Sequence, residues 1–137
     1  MTLADAAIQK FLDTKEIAIL ATVQPDGSPL AMPMWFLHDA QALTMISVDG
    51  LQKVKNLRRD PRLCVVVETA DAEGIRGVTV QGKAEFLSDT PERRALVDKL
   101  MKKYDPRLEK LWNGRVMPPN RVMFRIVPSK VRAWGLS

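Results

Sequence analysis

The residue types able to do chemistry gather in one segment, Ser47-Val48-Asp49-Gly50-Leu51-Gln52-Lys53, and in the basic run that follows it. A strand ending in a hydroxyl residue, a glycine turn and a helix with lysine near its first turn leave free backbone N–H groups at the positive helix end. Ser47, Lys53 and those amides together make a seat for a phosphate-sized anion. Charge arithmetic points the same way. The chain has 21 Lys and Arg against 16 Asp and Glu. Residues 51–62 hold five of the bases (Lys53, Lys55, Arg58, Arg59, Arg62) and one acid (Asp60), a local net of +4, and elsewhere 16 bases face 15 acids. One concentrated patch suits a single anion better than a nucleic-acid or membrane surface, with a solvated helix face as the plain alternative. Helical spacing puts Lys55 and Arg59 on one face and Arg58 and Arg62 on another, so these bases cannot all reach one ligand.

A second segment, Met32-Pro33-Met34-Trp35-Phe36, is unusual for a strand. Proline cannot donate to a ladder, which predicts an interruption at Pro33. Irregular backbone flanked by flat and polarisable side chains can receive an aromatic ring; a bulged edge strand whose Met and Trp fill the core is the alternative. Other chemistries are poor readings. One cysteine (Cys64) cannot form an internal disulfide and one histidine (His38) cannot build a metal site with it, which speaks against disulfide scaffolds, zinc modules and Cys–His or Ser–His nucleophile machinery. His38 is expected exposed or capping in a turn, Cys64 as an inert core thiol, and Trp112 and Trp134 as packing residues within the monomer or at an interface. No apolar run approaches the roughly 20 residues that cross a bilayer. The acidic, amphipathic N-terminus is unlike a signal peptide, so a cytoplasmic protein without a membrane partner is expected.

These segments need a scaffold, and the 137 residues, 46% of them hydrophobic, suffice for a single domain over 1–137. Apolar spacing predicts a helix over 3–15. Strands over 17–24 and 30–38 flank the turn Pro25-Asp26-Gly27, and a third covers 42–48. A short basic helix then stops at Pro61. Strands follow over 63–69 and 75–88, the latter with glycines at 77 and 82 that mark a bulge or a close backbone approach. Thr90-Pro91-Glu92 opens a helix, residues 106–120 read as helix then loop, and strands over 121–128 and 130–135 close the chain. The result is a mainly β fold with peripheral helices, a small barrel of about six to seven mostly antiparallel strands.

In order and spacing, ATVQPDGSPLAMPMWFLHD, ALTMIS, QKVKNLRRDPRLCVVVE, VTVQGKAEFLSD and VRAWG resemble the pyridoxamine 5′-phosphate oxidase-like FMN-binding split-barrel family. They are most similar to its small branch that uses FMN or the deazaflavin F420. The run K-x-x-N-L-R-R-D-P-R at 53–62 is the most specific element. The resemblance implies a split β-barrel and a homodimer with a cofactor in each groove between subunits. It also implies hydride transfer between FMN or F420 and a small organic substrate, with no metal and no nucleic acid. Ser47 and Lys53 would hold the phosphate, with Leu51 and Gln52 lending amides at the same helix start. Met32, Pro33, Met34 and Trp35 would border the ring, Ile46 the ribityl chain, and Arg59 would add a further contact. No catalytic side chain is implied, because in such proteins the cofactor carries the redox chemistry.

Three departures argue against true pyridoxamine phosphate oxidase activity. Gln52 stands where the vitamin B6 oxidases tend to carry a second base, and Gly77 where they offer a glutamine. The sequence also ends at Trp134-Gly135-Leu136-Ser137 without their arginine- and histidine-bearing segment. A non-catalytic flavin- or haem-binding carrier or sensor is the alternative within the same fold. A small nucleic-acid-binding barrel driven by the basic segment 51–62 is a third reading, against which stands the lack of the surface aromatics that interleave with bases in single-strand binders.

Overall fold

Among the described residues seven strands and four helices follow one another along the chain. The strands are β1 (Ala18–Val23), β2 (Pro29–Met34), β3 (Leu37–His38), β4 (Leu43–Val48), β5 (Arg62–Asp71), β6 (Gly74–Leu87) and β7 (Arg121–Trp134). The helices are α1 (Ala6–Asp13), α2 (Gln52–Arg59), α3 (Pro91–Lys103) and α4 (Arg107–Trp112). This computed structural model describes residues 1–136, and Ser137 lies outside the described residues. All strand pairs are antiparallel, in one sheet of order β2-β1-β5-β6-β7-β4-β3. The two outermost strands of that order, β2 and β3, are separated in sequence only by Trp35 and Phe36. The sheet therefore curls until its two ends meet, and the connector bridges a seam that no ladder closes. This is the expected mainly β split barrel.

The expected and observed strands differ in two places. The segment 30–38 breaks at Trp35–Phe36, not at Pro33, which is paired with Ile19. Its strand β2 has β1 as its sole neighbour, and an edge is where a strand proline is tolerated. Leu37 and His38 leave this ladder to pair with Thr44 and Leu43. The two expected closing strands are one, β7. Its register passes from Gln81↔Lys130 to Gly82↔Pro128, which bulges out Ser129, and the Ser129 hydroxyl donates to the Gln81 carbonyl at 3.1 Å. Pro128 falls beyond the last residue of β7 paired with β4, Ile126, so its missing N–H breaks no second ladder. Both strand glycines mark close approaches: a Cβ at Gly82 would collide with the Val127 carbonyl, and one at Gly77 would lie 2.5 Å from the Trp134 ring.

Alternation along the strands separates two apolar layers. Leu20, Val65, Val67, Val78, Val80, Phe124 and Ile126 point inward and meet Ile8, Phe11 and Leu12 of α1. On the other side Val97, Leu100, Met101, Tyr104, Leu108 and Trp112 of the α3–α4 region cover Met123, with Trp35 and Ile46 packed against them. The same alternation corrects the expectation for Cys64, which falls between the inward Leu63 and Val65 and is half-buried on the opposite face. Its partial burial still pushes the thiol pKa up, towards inertness. His38 is corrected too. It lies in β3, with Nδ1 2.8 Å from Gln9 Oε1 and Nε2 2.8 Å from Asp13 Oδ1, and ties the barrel seam to α1. Burial lowers its pKa against the opposing pull of Asp13.

Candidate functional site

A pocket of about 410 Å³ lies along the seam. On one side is β2, which pairs with β1 alone; on the other is β4, which over Met45–Val48 pairs with β7 alone. Two free strand edges thus face one cavity. Pro33, Met34 and Trp35 line it from the first edge, Ile46, Ser47 and Val48 from the second, and Leu51 and Lys53 from the start of α2. Leu100, Leu108, Leu111 and Trp112 form a helical wall, and Ile17 and Arg121 complete the lining.

The polar groups at one end of this pocket are short of partners. Ser47 is 6% exposed, and its Oγ has no hydrogen-bond partner among the described residues. Lys53 is 9% exposed; its ammonium lies 3.2 Å from Met34 Sδ, and no carboxylate pairs with it among the described residues. An ammonium has three donors and a thioether is a weak acceptor, so most of its capacity is unused. Burial accordingly lowers the Lys53 pKa. Helix α2 begins after Leu51 in extended conformation, with Gly50 at φ +88° making the turn, and no side chain caps its first amides. An unpaired buried polar group costs roughly 1–3 kcal/mol, and a charged one more. An orphaned hydroxyl, an under-partnered ammonium and an uncapped helix start fit a phosphate group. Met34, Trp35 and Ile46 beside them fit a flat ring. The residues present therefore fit the phosphate and ring that FMN and F420 have in common.

The wall carrying Trp35 is fixed from α3. The Trp35 and Tyr104 rings stack at 4.4 Å and 7°. The Tyr104 hydroxyl accepts from the Phe36 N–H at 2.9 Å and donates to the Glu16 carbonyl at 2.7 Å. Lys103 Nζ donates to the Phe36 carbonyl at 2.7 Å and sits 3.8 Å from the centre of the Phe36 ring. Side chains of the α3 terminus thus satisfy the connector's backbone where no neighbouring strand can.

Of the ten residues the sequence singled out, Pro33, Met34, Trp35, Ile46, Ser47, Leu51 and Lys53 line the pocket, and Met32, Gln52 and Arg59 do not. Met32 is 37% exposed on the edge strand. The Gln52 amide donates to Asn56 Oδ1 at 2.8 Å, and buried Asn56 in turn donates to Thr22 on β1 at 3.0 Å. Arg59 turns its guanidinium to the Val23 carbonyl. Much of the basic run is engaged locally: Arg58 stacks 4.4 Å over Phe86, and Arg62 pairs with Asp60 at 2.7 Å. Sequence reasoning missed Arg121 and the α3–α4 wall. Arg121 reaches the pocket because it is paired with Val48, a register that no local pattern reveals. The helical wall has a signal in the helical spacing of the apolar Leu96, Val97, Leu100 and Met101 along α3.

A curled antiparallel sheet left open at one seam, with a buried hydroxyl and ammonium lining the gap, defines a split-barrel domain. The chain belongs to the pyridoxamine 5′-phosphate oxidase family, which it matches over residues 4–135. Among solved structures it is similar to the conserved hypothetical protein Rv2991 from Mycobacterium tuberculosis. That likeness is 29% identity over 95% of this chain and 83% of the other, with a TM-score of 0.78. A proposed pyridoxamine 5′-phosphate oxidase from Listeria innocua is 28% identical over 93% of this chain and 94% of its own, at TM-score 0.73. An F420 reductase is 26% identical over 90% and 94% of the two chains, at TM-score 0.67. No curated protein matches the chain. Among the described residues no helix is long and apolar enough to cross a membrane.

Proposed function

We propose that this protein is a cytoplasmic, homodimeric oxidoreductase that binds FMN or F420 in the seam pocket and acts on a small organic substrate. The observation that carries this reading is that the orphaned Ser47 Oγ and the under-partnered Lys53 ammonium belong to residues lining the same, mainly apolar pocket. When bound, the ring system supplies hydride transfer to or from the substrate. The chain's own residues bind and orient. Lys53 would neutralise phosphate charge, the Ser47 hydroxyl and the first amides of α2 would donate to the phosphate, and Met34 and Trp35 would shield the ring from water. Lys53 and Arg121 are the charged side chains of this chain that line the pocket. Exposed apolar Ile17, Leu51 and Leu111 at the pocket lining support a second subunit closing over it.

The test is an absorption spectrum of the purified protein, with mass analysis of what denaturation releases and titration of both cofactors if it is colourless. FMN or F420 bound at the stoichiometry of the chain supports the reading, and binding of neither overturns it. Turnover of a substrate by the loaded protein separates an oxidoreductase from a carrier. Sedimentation at several concentrations tests the dimer, and a cofactor-loaded monomer would refute it.

A further inference from the structure

Two cations line the seam pocket, and neither has a carboxylate partner among the described residues. Lys53 meets Met34 Sδ. Arg121, the first residue of β7, donates to the side-chain oxygen of its neighbour Asn120 at 2.7 Å. Most other arginines are paired: Arg58, Arg62, Arg76, Arg93, Arg94, Arg107, Arg115 and Arg125 each lie within 4.0 Å of an Asp or Glu oxygen. No acidic residue lines the pocket. The backbone also brings Arg121 to the phosphate end. It is paired with Val48, Ser47 with Val122, and the Asp49 N–H donates to the Asn120 carbonyl at 2.8 Å. The start of β7 is thereby tied to the turn that joins Ser47 to α2. Gln52, the other polar side chain at that helix start, is neutral and committed to Asn56.

We propose that Arg121 is the second cation of the head-group seat, and that the seat selects a phosphate monoester, as at the end of FMN, over the phosphodiester of F420. This rests on the flavin reading above and deepens it. A monoester carries about −1.5 to −2 near neutral pH, which two cations match. A diester carries one charge, so one of the two cations stays uncompensated when the ligand covers them, and burying an unpaired charge is unfavourable. Arginine also presents a planar fork of donors suited to two phosphate oxygens at once.

The experiment titrates wild type, Arg121→Gln and Arg121→Lys with FMN, riboflavin, F420 and inorganic phosphate at matched ionic strength. Ring binding is read by fluorescence and phosphate binding by the thermal midpoint. Arg121→Gln is expected to weaken FMN about 10- to 100-fold, to leave riboflavin unchanged, and to abolish the rise in midpoint that phosphate gives wild type. Arg121→Lys recovers part of each effect. Equal FMN affinity in wild type and Arg121→Gln overturns the assignment, and so do equal losses of FMN and riboflavin, which would mark lost packing. Tighter binding of F420 than FMN by wild type overturns the monoester preference. If wild type binds no ring compound, the flavin reading falls and the phosphate arm still decides: a rise sensitive to Arg121 supports the seat, and no rise refutes it.

Discussion

The Tyr104 hydroxyl lies 2.9 Å from the Phe36 backbone nitrogen, 68 residues away in sequence, and takes the hydrogen bond that a neighbouring strand would otherwise supply. The same oxygen donates to the Glu16 carbonyl at 2.7 Å. One side chain of the α3 terminus therefore stitches together the seam connector and the segment leading into β1. Because the Tyr104 ring also stacks on Trp35, the stitch sets one wall of the pocket.

Tyr104→Phe keeps the stack and removes the hydroxyl, leaving the Phe36 N–H and Glu16 carbonyl without that partner. Loss of about 1–3 kcal/mol of unfolding free energy is expected, measured by urea denaturation. Tyr104→Ala, which also deletes a fully buried ring, should cost about 3–5 kcal/mol. Equal stability of Tyr104→Phe and wild type would show that water replaces the hydroxyl at no cost.

Burial brings the Lys103 pKa down to about 8 and takes Tyr104 up to about 12. Between about pH 8 and the ordinary lysine range the unfolded chain keeps a proton that folded Lys103 has released, so this group makes stability rise with pH. Above pH 10 the sign reverses, because folded Tyr104 retains a proton that the unfolded chain loses. Denaturation midpoints from pH 7 to 9.5 should therefore climb in wild type relative to Lys103→Met. Parallel curves for the two proteins would remove Lys103 as the source.

Lys53→Met should separate binding from folding. It deletes a charge-assisted phosphate contact worth roughly 1.5–3 kcal/mol, weakening FMN or F420. It also removes a buried ammonium whose neighbour is a thioether, so the ligand-free protein should gain about 0.5–2 kcal/mol. Calorimetric titration and chemical denaturation of the same preparation read the two effects. A variant both weaker in binding and less stable would mean that Lys53 has a structural partner.

Gly82→Ala places a methyl against the Val127 carbonyl at the β6–β7 bulge. Relief requires the backbone to move, and about 1–3 kcal/mol of destabilisation is expected by analogy with overpacked cores. Thermal unfolding checks it, and a neutral result would show the bulge to be plastic.

The fold was legible because its signals are local. Alternating apolar residues mark the strands, Pro25-Asp26-Gly27 marks a turn, and Thr90 caps α3 by accepting from the Arg93 N–H at 3.3 Å. Ser47 and Lys53 were legible as an anion seat because strand, turn and helix start are contiguous. The errors arose where tertiary neighbours decide. Pro33 stays in β2 because that strand is an edge, and an edge is a property of the whole sheet. The break moved to Trp35–Phe36 because Tyr104 and Lys103, far along the chain, satisfy that backbone. Arg121 was invisible as a pocket residue because only the β4–β7 register brings it there.

The two-residue bridge between β2 and β3 has an evolutionary consequence. In most barrels the width of an interior slot is locked by strand number and stagger, so retuning it disturbs every ladder at once. Here one wall of the slot hangs from the end of a peripheral helix. Substitutions on α3 and α4 can shift Trp35 and reshape what the seam accepts while the seven-stranded frame keeps its register. Ligand choice and barrel integrity can thus drift separately, which leaves one scaffold free to serve chemically different occupants.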